Sequence, residues 1–325
     1  MLVTVTIMLI LVTATVTMFR PANEERRIRE AARAINVYLG SARNRAMETG
    51  RPCGVTFRNF GTPGFAMNAD QCEVPPCYAG YSETSTATVT KVNSTTLSAV
   101  INEIIGDDKL AATGDLVQLN LQGFYYKITG KTVDSGVGTT TLTLTLDTSL
   151  SGGVTTIISP WTTTGQSVPF RIYRAPVKGY AQPLQLPAAS VIDLQSSSYE
   201  TTMVNNNDFT VLFSPNGSVD CVYVSATRYP VTEPIYLLVG KRERVGNPVT
   251  PNNPNESTLT NWQDLNNIWI VINPQTGVVT SDVIAPMITD TSDPNYVDPA
   301  DSDYESKAIR NSRRLARESQ GIGGR

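Results

Sequence analysis

The chain has 325 residues, a formal net charge of −3 and no histidine. Near-balanced charge gives no global attraction to nucleic acid or anionic surfaces. The missing imidazole removes Ser-His-Asp and Cys-His nucleophile systems together with the commonest metal ligand. Charged residues are only 17% of the chain, and runs such as TSTATVTKVNSTTLSAV and GTTTLTLTLDTSLSGG have the texture of exposed β-structure rather than of a cytosolic α/β enzyme.

Residues 1–19 carry no charge. At ~1.5 Å per residue they make a helix of about 28 Å, close to the roughly 30 Å hydrocarbon core of a bilayer, and they read as a transmembrane helix. The alternative is a helix buried in a protein core. The run ends in Phe19-Arg20-Pro21 without the small-residue cleavage site of a signal peptide. Residues 20–51 continue the helix in amphipathic form. Ile28, Ala32, Ile35, Leu39, Ala42 and Ala46 recur at spacings of four and three, which makes one apolar packing stripe. Arg26, Arg27, Arg29, Arg33, Arg43 and Arg45 lie mostly off it. Gly50 supplies a stop and Pro52 forbids continuation, and a kink is expected at Pro21.

The four cysteines are Cys53, Cys72, Cys77 and Cys221. An even count outside the cytosol favours disulfides, with three connectivities open. Cys72-Glu-Val-Pro-Pro-Cys77 is a tight loop whose prolines limit its unfolded freedom, so Cys72–Cys77 is the expected pair and Cys53–Cys221 follows by elimination. A zinc site is the rival, weakened by the C-x4-C spacing and the lack of histidine. Buried thiols are the further alternative for Cys53 and Cys221.

Strands follow the helix: Cys53–Phe57, Val191–Leu194, 209–219, 234–240 and 268–284. The last reads as a hairpin turning at Asn273-Pro274, with Gly277 at the positive-φ position. One long helix on an antiparallel sheet is an α+β arrangement, with the β head formed by 52–81 and 180–288. Between them, 82–179 alternates with period two and reads as an inserted all-β module. Leu142, Leu144 and Leu146 face one way, and Trp161, Tyr125 and Tyr126 are either hot spots for a partner or core. Residues 246–262 form a Pro/Asn-rich loop. The tail, 289–325, reads as disordered. Its first half is acidic, and its second half places Arg310, Arg313, Arg314 and Arg317 at spacings that line one helical face. These four are candidates for contact with nucleic acid, or solvated charges screened by the acidic stretch beside them. No nucleophile–base pair, metal set or phosphate loop is present, and Asp107-Asp108 reads as a solvated turn. No catalytic, metal or cofactor-binding residue is assigned, and no cofactor is expected.

The segments GSARNRAMETGRPCGVTF, LQLPAASVIDL, FSPNGSV and IWIVINPQTGVV, in that order, resemble the GspH/FimT pseudopilins, minor subunits of type II secretion pseudopili and type IV pili. The resemblance covers about residues 1–80 and 181–285. It implies a pilin-like fold and a structural rather than enzymatic role. It also implies an N-terminal helix anchored in the bacterial inner membrane, with the head on the periplasmic side. The implied partners are other pilin or pseudopilin subunits and, through a basic leader ending in Gly-Phe-Thr-Leu-x-Glu upstream of Met1, a prepilin peptidase. Such a leader would offset the arginines after Phe19, which taken alone place the head in the cytoplasm. Some FimT-like pilins bind DNA through a basic C-terminal element, so DNA uptake through the tail arginines is the alternative function.

Overall fold

The computed structural model describes residues 2–147, 150, 154, 156, 157, 160–250 and 258–323, with the side chains of 2–7, 9–22 and 321–323 left out. The chain forms two compact units. The first comprises Met1–Gln71, Tyr180–Ser225 and Val231–Arg325; the second comprises Cys72–Gly179 and Ala226–Pro230.

In chain order, α1 (Leu2–Thr49) is followed by β1 (Cys53–Phe57), β2 (Phe65–Ala66) and β3 (Asn68–Glu73). Then come β4 (Ala87–Lys91), β5 (Thr96–Ile101), β6 (Leu116–Leu119), β7 (Tyr125–Asp134), β8 (Thr139–Leu146), β9 (Gln166–Val168), β10 (Phe170–Tyr173) and β11 (Val177–Lys178). The chain continues through β12 (Leu184–Gln185), β13 (Ser190–Tyr199), β14 (Thr202–Met203), β15 (Phe209–Phe213), β16 (Val219–Val224) and β17 (Thr227–Tyr229). It closes with β18 (Ile235–Lys241), β19 (Ile268–Ile272), β20 (Val279–Val283), α2 (Tyr304–Ser312) and α3 (Arg314–Gly323).

In the first unit α1 runs unbroken through Pro21. Ile28, Ala32, Ile35, Leu39, Ala42 and Ala46 are all buried, in one core with Val55 and Phe57 of β1, Val211 of β15, Leu237 and Val239 of β18, and Ile270 and Ile272 of β19. Two sheets supply these strands, one ordered β3-β1-β15-β16 and the other β14-β13-β18-β19-β20. Successive side chains of a strand point to opposite faces. On β18, Ile235, Leu237 and Val239 therefore enter the α1 core. Tyr236 and Leu238 enter a second core with Trp262, Trp269, Val271 and Ile284, where Tyr304, Ala308, Ile309 and Ala316 of α2 and α3 complete it. A sheet covered on both faces accounts for the continuous apolar runs IYLLV and IWIVI, which lack polar alternation.

The second unit is built on one sheet of order β10-β6-β7-β8-β5-β4-β9. Alternation along TTTLTLTL buries Thr140, Leu142, Leu144 and Leu146, and the three leucines join Leu97, Ile101, Val117 and Ile128 in a core separate from the first unit's. Trp161 and Tyr126 are buried, with the indole Nε1 donating to the Tyr126 hydroxyl at 2.8 Å. Tyr125 is half-buried, edge-on to Tyr173 at 5.5 Å. These aromatics are interior groups of this unit rather than exposed anchors.

Three expectations are corrected. The α+β class, one helix on one pilin-like antiparallel sheet, gives way to an arrangement that, among the described residues, is mainly β, with three sheets and helix in the minority. Period-two patterning marks the faces of strands but not which strands share a sheet. The tail expected to be disordered folds from Tyr304 as α2 and α3. Its sparse apolar residues, Tyr304, Ala308, Ile309 and Ala316, fall on one side and cover the outer face of β18 and β19. Single-pass anchoring in the inner membrane with a periplasmic head is not supported. Among the described residues no helix is long and apolar enough to cross a membrane. The side chains of 1–7 and 9–22, on which the expected transmembrane segment 1–19 rests, lie outside the described residues.

Candidate functional site

The head grips α1 from Glu24 onward. Lys241 Nζ at the end of β18 lies 2.9 Å from the Glu24 carboxylate and 3.8 Å from Asp264, which also pairs with the buried Arg244. At mid-helix the Tyr38 hydroxyl donates to the Gln182 carbonyl at 3.0 Å and accepts from the Gln71 amide at 3.0 Å. Near the C-terminal end, Arg43 Nε donates to the Gly217 carbonyl at 2.9 Å. That turn meets the β19–β20 turn, where Gly277 sits at φ +63° and a Cβ would collide with the same Gly217 oxygen. Only glycine satisfies both demands. Arg26, Arg29, Arg33 and Val37, on the opposite side of the helix, are exposed.

The cysteines form no disulfide. β1 and β16 flank β15 on either side, with Cys53 opposite Phe213 and Cys221 opposite Leu212. Two strand spacings amount to about 9.5 Å, beyond the roughly 7 Å that a disulfide spans between Cα atoms. Cys72 is buried in β3 opposite Lys178, whereas Cys77 is exposed. The prolines between them favour extended backbone. They lead the chain away from β3 to Tyr78, whose amide donates to Ile172 at 2.9 Å. The feature that suggested a closed loop keeps it open.

A buried polar network went unrecognised in the sequence. β13 bulges between Asp193 and Ser198. Asp193 Oδ1 accepts from the amides of Gln195 (3.0 Å) and Ser196 (3.2 Å), and Oδ2 from Asn261 Nδ2 (2.9 Å). Asn261 also accepts from the Lys241 amide at 2.9 Å, and Ser197 Oγ accepts from the Leu238 amide at 3.0 Å. Burial pushes the Asp193 carboxyl up to about 6, against the lowering effect of these donors. An acidic residue inside the apolar run VIDL was the available signal.

Of the four tail arginines, Arg310 and Arg317 are exposed, Arg314 is half-buried and Arg313 is buried. The Arg313 guanidinium lies over the rings of both Tyr236 and Trp269, 4.7 and 4.6 Å from their centroids. Its two terminal nitrogens donate to Ser198 Oγ and the Ser196 carbonyl, both at 2.7 Å. Burial lowers its pKa to about 9, partly offset by Tyr236 and reinforced by Arg317 and Arg310, so it stays charged at neutral pH. The nucleic-acid contact set Arg310, Arg313, Arg314 and Arg317 is therefore not one exposed face. Arg313 is a strut that fixes α2 and α3 to the β13 bulge.

Among the described residues no group of three or more Cys, Asp or Glu side chains could hold a metal ion. No protein-family model, no characterised protein and no solved structure matches the chain. The comparisons therefore lend no support to the pseudopilin resemblance.

Proposed function

We propose that the chain is a pilin-like structural subunit, a non-catalytic building block of a filament in which N-terminal helices pack against one another. The observation that supports this reading is the division of α1. Its second half is held by the head from Glu24 to Ala46, while the same continuous helix extends back to Leu2, and its residues 2–19 carry no charge. A helix apolar on every side needs apolar cover all round, and helices of neighbouring subunits provide it. Other subunits of the same kind are then the partners. The DNA-uptake alternative has weaker support, because the four tail arginines do not form one exposed face.

The test is cysteine-scanning cross-linking along residues 3–18, in a background with the four native cysteines replaced by alanine. Cross-links between copies should peak every three to four residues, the period of a helix with a defined packing face. Uniform cross-linking along the segment, or none in the assembled state, sinks the proposal.

A further inference from the structure

Arg310, Arg313 and Arg317 line a pocket of about 420 Å³ whose other lining residues include Glu200, Glu233 and Tyr236. Arg313 closes α2, and Arg317 on α3 donates to the Arg310 carbonyl at 3.3 Å, so the three guanidinium-bearing positions are tied together. Among the described residues none of the three forms an ion pair with a carboxylate. Arg313, although buried, leaves its Nε without a hydrogen-bond partner. Glu200 is engaged elsewhere, accepting from the amide and hydroxyl of Thr232, both at 3.0 Å. A buried cation facing two more cations is costly unless an anion joins it.

We propose that this pocket binds a small dianionic oxyanion of the phosphate class, with Arg310 and Arg317 reaching it from the rim and Arg313 supplying the charge beneath. Guanidinium groups suit such a ligand because their planar forks match two oxygens at once. The three arginines outnumber the two lining carboxylates, Glu200 and Glu233, so the pocket keeps a net positive charge. The inference does not depend on the filament reading.

The experiment is calorimetric titration of the full chain with inorganic phosphate and, separately, with phenyl phosphate, at constant chloride and neutral pH. Saturable binding in the millimolar range or tighter is expected. The Arg310→Ala/Arg317→Ala double variant changes exposed side chains only; its melting temperature in chloride should match wild type while phosphate affinity falls at least tenfold. Tighter binding of inorganic phosphate marks a free ion as the ligand, and tighter binding of phenyl phosphate marks a phosphomonoester. No saturable binding by wild type, or equal affinity in the double variant, overturns the proposal. Duplex DNA that displaces phosphate and is lost in the same variant also overturns it.

Discussion

Asp193 occupies the middle of an apolar strand, and its cost should be visible as a pH dependence of stability. Its carboxyl titrates near pH 6 in the folded chain and near 3.9 when unfolded. Between those values the folded state holds a proton that the unfolded state has released, so stability falls as pH rises from about 4 to about 6. Asp193→Asn should flatten this part of the profile, read as urea midpoints from pH 4 to 7. An unchanged slope in the variant would assign the effect to another group. Glu103, in the second unit, shows the opposite balance. Burial works to raise its pKa, but hydrogen bonds from Ser85, Tyr78 and the Tyr81 amide prevail and lower it. It thereby fastens the loop 78–85. Neither role was legible from sequence, because each depends on donors that are distant in the chain or carried by the backbone.

At the scale of elements, α1 was the most legible part of the chain, since a regular three-and-four spacing over six positions leaves one way to pack. Leu39→Ala should cost about 2–5 kcal/mol, the usual range for a fully buried leucine. Val37→Ala, on the exposed side of the same turn, should stay within about 0.5 kcal/mol. Equal losses in urea denaturation would mean that the stripe does not face the core. α2 and α3 were hidden for a physical reason. Their apolar face is narrow and made partly of alanine, and it gains value only against Tyr236 and Trp269. Composition registered the charges and missed the stripe. The disulfides failed for a related reason, since an even count of cysteines says nothing about which strand lies between them.

At the scale of the whole molecule, the sequence separated the Thr-rich middle from its surroundings by texture, but it could not order the sheets. Strand pairing is a matter of three-dimensional neighbours, and β1 has its partner β15 some 154 positions away, as the Thr56–Thr210 hydroxyl contact records. The second unit has its own core, and residues 72–179 expressed alone should unfold cooperatively, with a sharp transition followed by circular dichroism. A broad, non-cooperative melt would show that this core cannot stand without the rest of the chain. The distant pairing of β1 also bears on how the protein is made. As the chain leaves the ribosome, α1 and β1 emerge with their apolar faces uncovered, and β15, β18 and β19 arrive only after the entire middle segment. Residues 72–179 can close on themselves during that interval, because domains form as units during synthesis. The first unit must wait, its helix α1 exposed until those strands arrive, and this helix is where a nascent-chain chaperone would find a long-lived binding site.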